Sequence, residues 1–261
     1  MREFDFVKTE FDNSLFIVTL ARLEKNNAFH AQMIRELTIA IGSSFHKDDC
    51  RALLIKAEGK HFSAGADLNY MKSMSSFTHE ENVADAEQLF ELFDTIYNCP
   101  VPVIAAVHGG CFGGANGIIA AADYVISSDD ATFSFSEVKL GLVAATISPF
   151  VVLKVGVNNA THLFSSGMRF SAQQGLQFGL VHHVVPQHNL EASVHDYLSN
   201  FHKAAPNAIR ESKKLARSYA LFNPGEYKET TAKTIANSRI SEEGQEGIQA
   251  FFDKRKPNWS A

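Results

Sequence analysis

The chain has 261 residues, 45% hydrophobic and 20% charged, enough apolar material for one large core without metals or disulfides. Its net charge of −5 provides no basic face to neutralise a run of phosphates, which argues against nucleic-acid binding, and no apolar run reaches the roughly 20 residues of a membrane span. Cys50, Cys99 and Cys111 are far apart, the 11 histidines show no metal-ligand spacing, and the charged start Met1–Lys8 lacks a signal-peptide core, so a reducing, cytoplasmic setting without a bound metal is expected.

Leu15 to Leu20 and Ala52 to Ala57 read as short strands rich in β-branched and apolar residues. Between them, Met33, Ile34, Leu37, Ile41 and Phe45 recur at helical spacing, which predicts a helix over 31–45. Leu89, Phe90, Leu92, Phe93 and Ile96 repeat that pattern over 83–97, and Pro100 and Pro102 stop it before the buried-strand pattern Val103 to Val107. Asp123 to Ser127, Ala131 to Phe135 and Val181 to Val185 are further strand candidates. The alternation through residue 185 is that of an α/β domain. From Leu190 to Phe252 the patterns are helical: 190–201, 208–221, 227–240 and 242–252. The expected division is an α/β core over 1–190 and a helical region over 191–261 that covers the sheet or serves assembly.

Two segments carry the chemistry. In Val107 to Gly117, glycines at 109, 110, 113, 114 and 117 follow a strand and open a helix, so backbone amides are left accessible at the positive end of a helix dipole. This turn either stabilises negative charge on a ligand oxygen or eases a crowded strand–helix crossing. It fits neither G-x-G-x-x-G nor a P-loop, and no G-x-S-x-G elbow occurs. In His61 to Leu68, Ala64, Gly65 and Ala66 again leave amides open at a strand end, where α/β sheets bind ligands. Asp67 reads either as part of that site or as the cap of a helix starting near Asn69. Together the two segments suggest two amides converging on one oxygen.

Phe62-Ser-Ala-Gly-Ala-Asp-Leu68 resembles the F-x-A-G-A-D-[IL] motif of the crotonase (enoyl-CoA hydratase/isomerase) superfamily. Ala106-Val-His-Gly with Phe112-Gly-Gly-Ala, Glu137-Val-Lys-Leu-Gly-Leu, Gly167 to Val181 and Ser241 to Pro257 resemble its later motifs in the same order. The resemblance implies a spiral of ββα units, a helical C-terminal region, and trimers or hexamers. It implies an acyl-CoA substrate, with coenzyme A as part of the thioester and no prosthetic group. By position, the Ala66 and Gly114 amides would form the oxyanion hole. Ala64, Asp67 and Leu68 would line the coenzyme site, and Lys25 and Lys254 would meet its phosphates.

The family's hydratases commonly carry two glutamates twenty positions apart; the later one matches Glu137 and the earlier one matches Gly117. Apolar neighbours such as Phe133 and Phe135 would raise the Glu137 pKa and suit it to proton exchange near neutrality. Asn116 is expected to help hold the water that the missing glutamate would have held. Phe112 to Ile118, Ser136 to Leu142 and Ile147 to Phe150 are similar to bacterial methylglutaconyl-CoA and related branched hydratases. The expected activity is therefore hydration of a branched enoyl-CoA. Double-bond isomerisation and a non-catalytic acyl-CoA-binding scaffold are the alternatives.

Overall fold

The computed structural model describes residues 3–218 and 224–260. In chain order the elements are β1 (Val7–Asp12), β2 (Leu15–Leu20), α1 (Ala31–Ser43), β3 (Ala52–Ala57), α2 (Leu68–Met74), α3 (His79–Tyr97), β4 (Val103–Val107), β5 (Gly110–Phe112), α4 (Asn116–Ala121) and β6 (Tyr124–Ser128). There follow β7 (Thr132–Ser134), α5 (Ser148–Ser166), β8 (Arg169–Ser171), α6 (Ala172–Phe178), β9 (His183–Val185), α7 (Leu190–His202), α8 (Pro206–Ser218), α9 (Pro224–Ile240) and α10 (Glu242–Phe252). The expected helix over 208–221 ends in residues outside those described.

Six strands form the main sheet in the order β1-β2-β3-β4-β6-β9; only the β1–β2 pair is antiparallel. Successive side chains on a strand face opposite ways, and β3 and β4 show it clearly. Leu53, Ile55, Val103, Ala105 and Val107 enter the large core under α1, α3, α4 and α5. Ala52, Leu54, Ile104 and Ala106 face a smaller cluster closed by Val194 and Leu198 of α7. Coverage on both faces explains why these strands are continuous apolar runs rather than alternating ones.

A second sheet, β5-β7-β8, lies alongside and carries the functional loops. Its rings hold its edge: Phe133 stacks on Phe170 at 5.5 Å, and Phe135 meets Phe164 edge-on at 5.2 Å. Five elements escape the sequence patterns, among them the seven-residue helix α6. Strand β1 alternates apolar and charged residues without an apolar run, β5 and β8 are too short for a period to show, and α5 is broken by Gly156, whose φ of 77° is not helical.

The C-terminal helices contain no strand among the described residues. Helix α8 is pinned to the sheet by Asp123, which accepts from Lys213 Nζ and Arg217 Nη2, both at 2.6 Å. No helix among the described residues is long and apolar enough to cross a membrane.

Candidate active site

The two amide-bearing segments run side by side because Ser63 pairs in parallel with Cys111. Ser63 N donates to Gly110 O at 3.0 Å, and Phe112 N donates to Ser63 O at 3.2 Å. Ala66 and Gly114 each stand three residues beyond that pair. Gly65, at φ 92°, lies against the Phe112–Gly113 peptide; a Cβ there would sit 2.8 Å from Phe112 O, so only glycine permits the approach. No acceptor among the described residues takes the Ala66 or Gly114 N–H. Backbone donors are ordinarily paired, so two spared amides on adjoining segments, Ala66 exposed and Gly114 half-buried, stand out.

The first segment is held from behind. Asn27, fully buried, donates through Nδ2 to Glu58 O at 2.8 Å and His61 O at 3.0 Å, while its Oδ1 accepts from Arg22 N. Ser63 Oγ donates to Asn27 O, and His61 Nδ1 accepts from Gly110 N at 2.8 Å. Ala64, Ala66 and Leu68 are exposed, whereas Ser63, Gly65 and Asp67 are buried, so an extended backbone offers one small-residue face outward.

Asp67 belongs to the buried side. Its Oδ1 caps α2 by accepting from Asn69 N and Tyr70 N, and its Oδ2 pairs with Arg22 Nη2 at 2.8 Å. Burial works to raise its pKa, but those amides and Arg22 outweigh it and hold the carboxyl below its ordinary value. Of the two sequence readings of Asp67, the helix cap is the one its contacts show. Lys25 and Lys254 are both exposed.

Glu137 opens a short 3-10 turn (Glu137–Leu140), three residues after β7 ends. A Cβ built on Gly113 would lie 3.4 Å from Glu137 Oε1, so the carboxyl abuts the turn that carries the Gly114 amide. Glu137 Oε2 is buried with no partner among the described residues. Burial raises the Glu137 pKa, the direction its apolar sequence surroundings predict. A carboxyl inclined to hold a proton thus lies against the turn whose Gly114 N–H is spared.

Asn116 does not face an open site. Its side chain is fully buried, and Nδ2 donates to Gly113 O at 3.1 Å and to Ser134 O at 2.9 Å. The amide nitrogen expected to serve water is thus given to two backbone carbonyls. At Gly117, a Cβ would fall 2.5 Å from the Phe93 ring and 2.6 Å from Ile147 Cγ2. The place of a second carboxylate is filled by apolar side chains. Sequence reading misses Asn27, Arg22, Phe93 and Ile147 because their partners lie 5 to 45 positions away. The Asn26-Asn27 pair and the helical register of Phe93 are the only local signals.

The sequence profile described as enoyl-CoA hydratase/isomerase matches residues 10–261. A crystal structure from Legionella pneumophila, described as an enoyl-CoA hydratase/isomerase (crotonase), superposes with a TM-score of 0.93 at 42% identity, covering 97% of this chain and 98% of that one. A Thermus thermophilus relative bearing an enoyl-CoA hydratase name is 32% identical over 93% of this chain and 96% of its own length. The trans-2-decenoyl-[acyl-carrier-protein] isomerase of Streptococcus mutans is 26% identical over 99% of both chains.

Two outcomes follow from this geometry. Gly117→Ala must displace the fully buried Phe93 ring, and overpacking of this kind costs about 1–3 kcal/mol, read as a lowered denaturation midpoint. Glu137→Gln removes a carboxyl whose folded pKa is raised. The stability tied to that shift is complete below the ordinary value of 4.5 and is lost as pH rises through the folded pKa. The Gln variant is expected to melt at or above wild type at pH 7, with wild type regaining ground on acidification. A pH-independent difference in melting temperature would contradict this. The chain belongs to the enoyl-CoA hydratase/isomerase family and has the crotonase fold, a family that acts on coenzyme A thioesters.

Proposed function

We propose that the protein hydrates an α,β-unsaturated acyl-CoA, with Glu137 as its one acid–base group. The thioester oxygen accepts from the Ala66 and Gly114 amides, which stabilise the charge that develops there as water adds. Glu137 takes a proton from water while the oxygen bonds to the β-carbon, and a proton is returned from the same carboxyl to the α-carbon. The observation that carries this reading is Glu137 itself: a buried, unpaired Oε2 on a carboxyl lying against the donor-bearing turn. The hydratase names of several similar chains support water addition. The segments Ser136 to Leu142 and Ile147 to Phe150 support a branched substrate such as 3-methylglutaconyl-CoA.

One observation favours a second reading. With Phe93 and Ile147 against Gly117, that position offers no polar group to hold water beside Glu137. A lone, proton-inclined carboxyl is sufficient to remove an α-proton and return it at the γ-carbon, which is isomerisation. The isomerase name of the Streptococcus mutans relative points the same way. The coenzyme would run along Ala64, Ala66 and Leu68, with Lys25 and Lys254 at its phosphates. The helices after residue 190 would serve assembly into trimers or hexamers in the cytoplasm, since Ile240, Phe251 and Phe252 stand more than 70% exposed on α9 and α10.

Loss of the conjugated thioester absorbance on crotonyl-CoA and 3-methylglutaconyl-CoA tests the main reading. Turnover is expected on both, larger on the branched substrate, with a drop of about 10²–10⁴-fold in Glu137→Gln. Gain of conjugation from a 3-enoyl-CoA, without hydration, would instead establish the isomerase. A folded protein that binds coenzyme A thioesters and converts none of these would be a binding scaffold. Light scattering is expected to give three or six times the 28.7 kDa chain mass, and a monomer would sink the assembly role.

A further inference from the structure

The side chain of Asn116 does more than fill space behind the Gly-rich turn. Gly113 O and Gly114 N–H belong to one peptide unit, and in a planar trans peptide they point in opposite directions. Whatever holds the carbonyl therefore aims the amide. Two donors hold it: the Asn116 backbone N–H, which closes the 3-10 turn Gly113–Ala115, and Asn116 Nδ2 at 3.1 Å. The backbone N–H is shared with Gly114 O, and the hydrogen bonds donated to Gly113 O polarise the peptide so that its N–H becomes a stronger donor. Because both partners of the side chain are carbonyls, its NH2 group must be the end that faces them.

The second bond of that NH2 group runs elsewhere. At 2.9 Å it reaches Ser134 O on β7, three residues before Glu137. One fully buried side chain thus clamps the turn that presents the Gly114 amide to the strand that presents the carboxyl. The turn needs such a clamp, since Gly113 sits at φ 54°, where glycine has alternatives of similar energy. Asn116 Oδ1 stays buried without a partner among the described residues, so the group is kept in place by its donor end alone.

We infer that Asn116 is a positioning residue: it aims the Gly114 N–H at the thioester oxygen and fixes its distance from the Glu137 carboxyl. This rests on the oxyanion reading above but not on whether hydration or isomerisation follows. It also replaces the water-holding role expected for Asn116 from sequence.

The test reads the polarisation of the carbonyl directly. Crotonyl-CoA labelled with a heavy carbon isotope at the thioester carbonyl is bound to Glu137→Gln protein, where it is not consumed, and its stretch is followed by isotope-edited infrared difference spectroscopy. The expected result is a downshift on binding that shrinks in the additional Asn116→Ala variant. It should shrink also in Asn116→Asp, which keeps the volume but faces the two carbonyls with acceptors. With Glu137 intact, Asn116→Ala should lose about 10–100-fold in kcat with KM little changed, the size expected for a slightly misplaced site. A downshift that survives both substitutions, with kcat unaltered, overturns the inference and leaves the oxyanion hole standing. No downshift with Asn116 intact removes the oxyanion reading itself, and the inference with it. Failure of both variants to fold would mean a purely structural role and would overturn the inference too.

Discussion

The candidate site depends on a constraint at the strand ends: two segments run side by side and leave the Ala66 and Gly114 N–H groups without acceptors among the described residues. A free amide in a packed interior is ordinarily lost to the nearest carbonyl. Here the parallel pairing of Ser63 with Cys111 fixes the two segments in register, and the bonds of Asn27, Ser63 and His61 occupy the neighbouring acceptors and donors. What remains over is the Ala66 amide on one segment and the Gly114 amide on the other. The small residues do not create the donors. They allow the two segments to approach closely, as Gly65 does against the Phe112–Gly113 peptide.

The electrostatics of the site follow from the same packing. Arg22 and Asp67 neutralise each other beneath the Ala66 strand and leave the outward face uncharged. Glu137 has no such ion-pair partner, so its burial outweighs the one lowering contact, from its own backbone amide, and shifts it toward the protonated form. Two carboxylates of the same fold therefore move in opposite directions for identifiable reasons. One is fixed by a guanidinium and two amides, and the other has no ion-pair partner among the described residues.

The sequence discloses this arrangement unevenly. Apolar runs bounded by prolines reveal β4, and heptad-like spacing reveals α1 and α3, because those signals are local. The ordered motifs single out Ala66, Gly114 and Glu137 as candidates, and the fold brings the segments that carry them side by side. Asn116 and Asp67 are visible as residues, but their partners are not. A carbonyl on β7 and a guanidinium on the Arg22 turn become neighbours only through the fold. The contacts of Phe93 with Gly117 are hidden for the same reason, because helical periodicity tells that a ring is buried and not what it is buried against.

That last contact shapes which descendants of this chain are reachable. A carboxylate at residue 117 meets the Phe93 ring and Ile147 in the space it would need, so placing one there requires those side chains to move. The aromatic ring would have to shrink first, opening a cavity in the core between α3 and α4 that is costly until the new side chain arrives. The intermediate on either route is worse than both ends. Residue 117 is therefore tied to α3 and to Ile147: a larger side chain there requires that its neighbours be repacked with it.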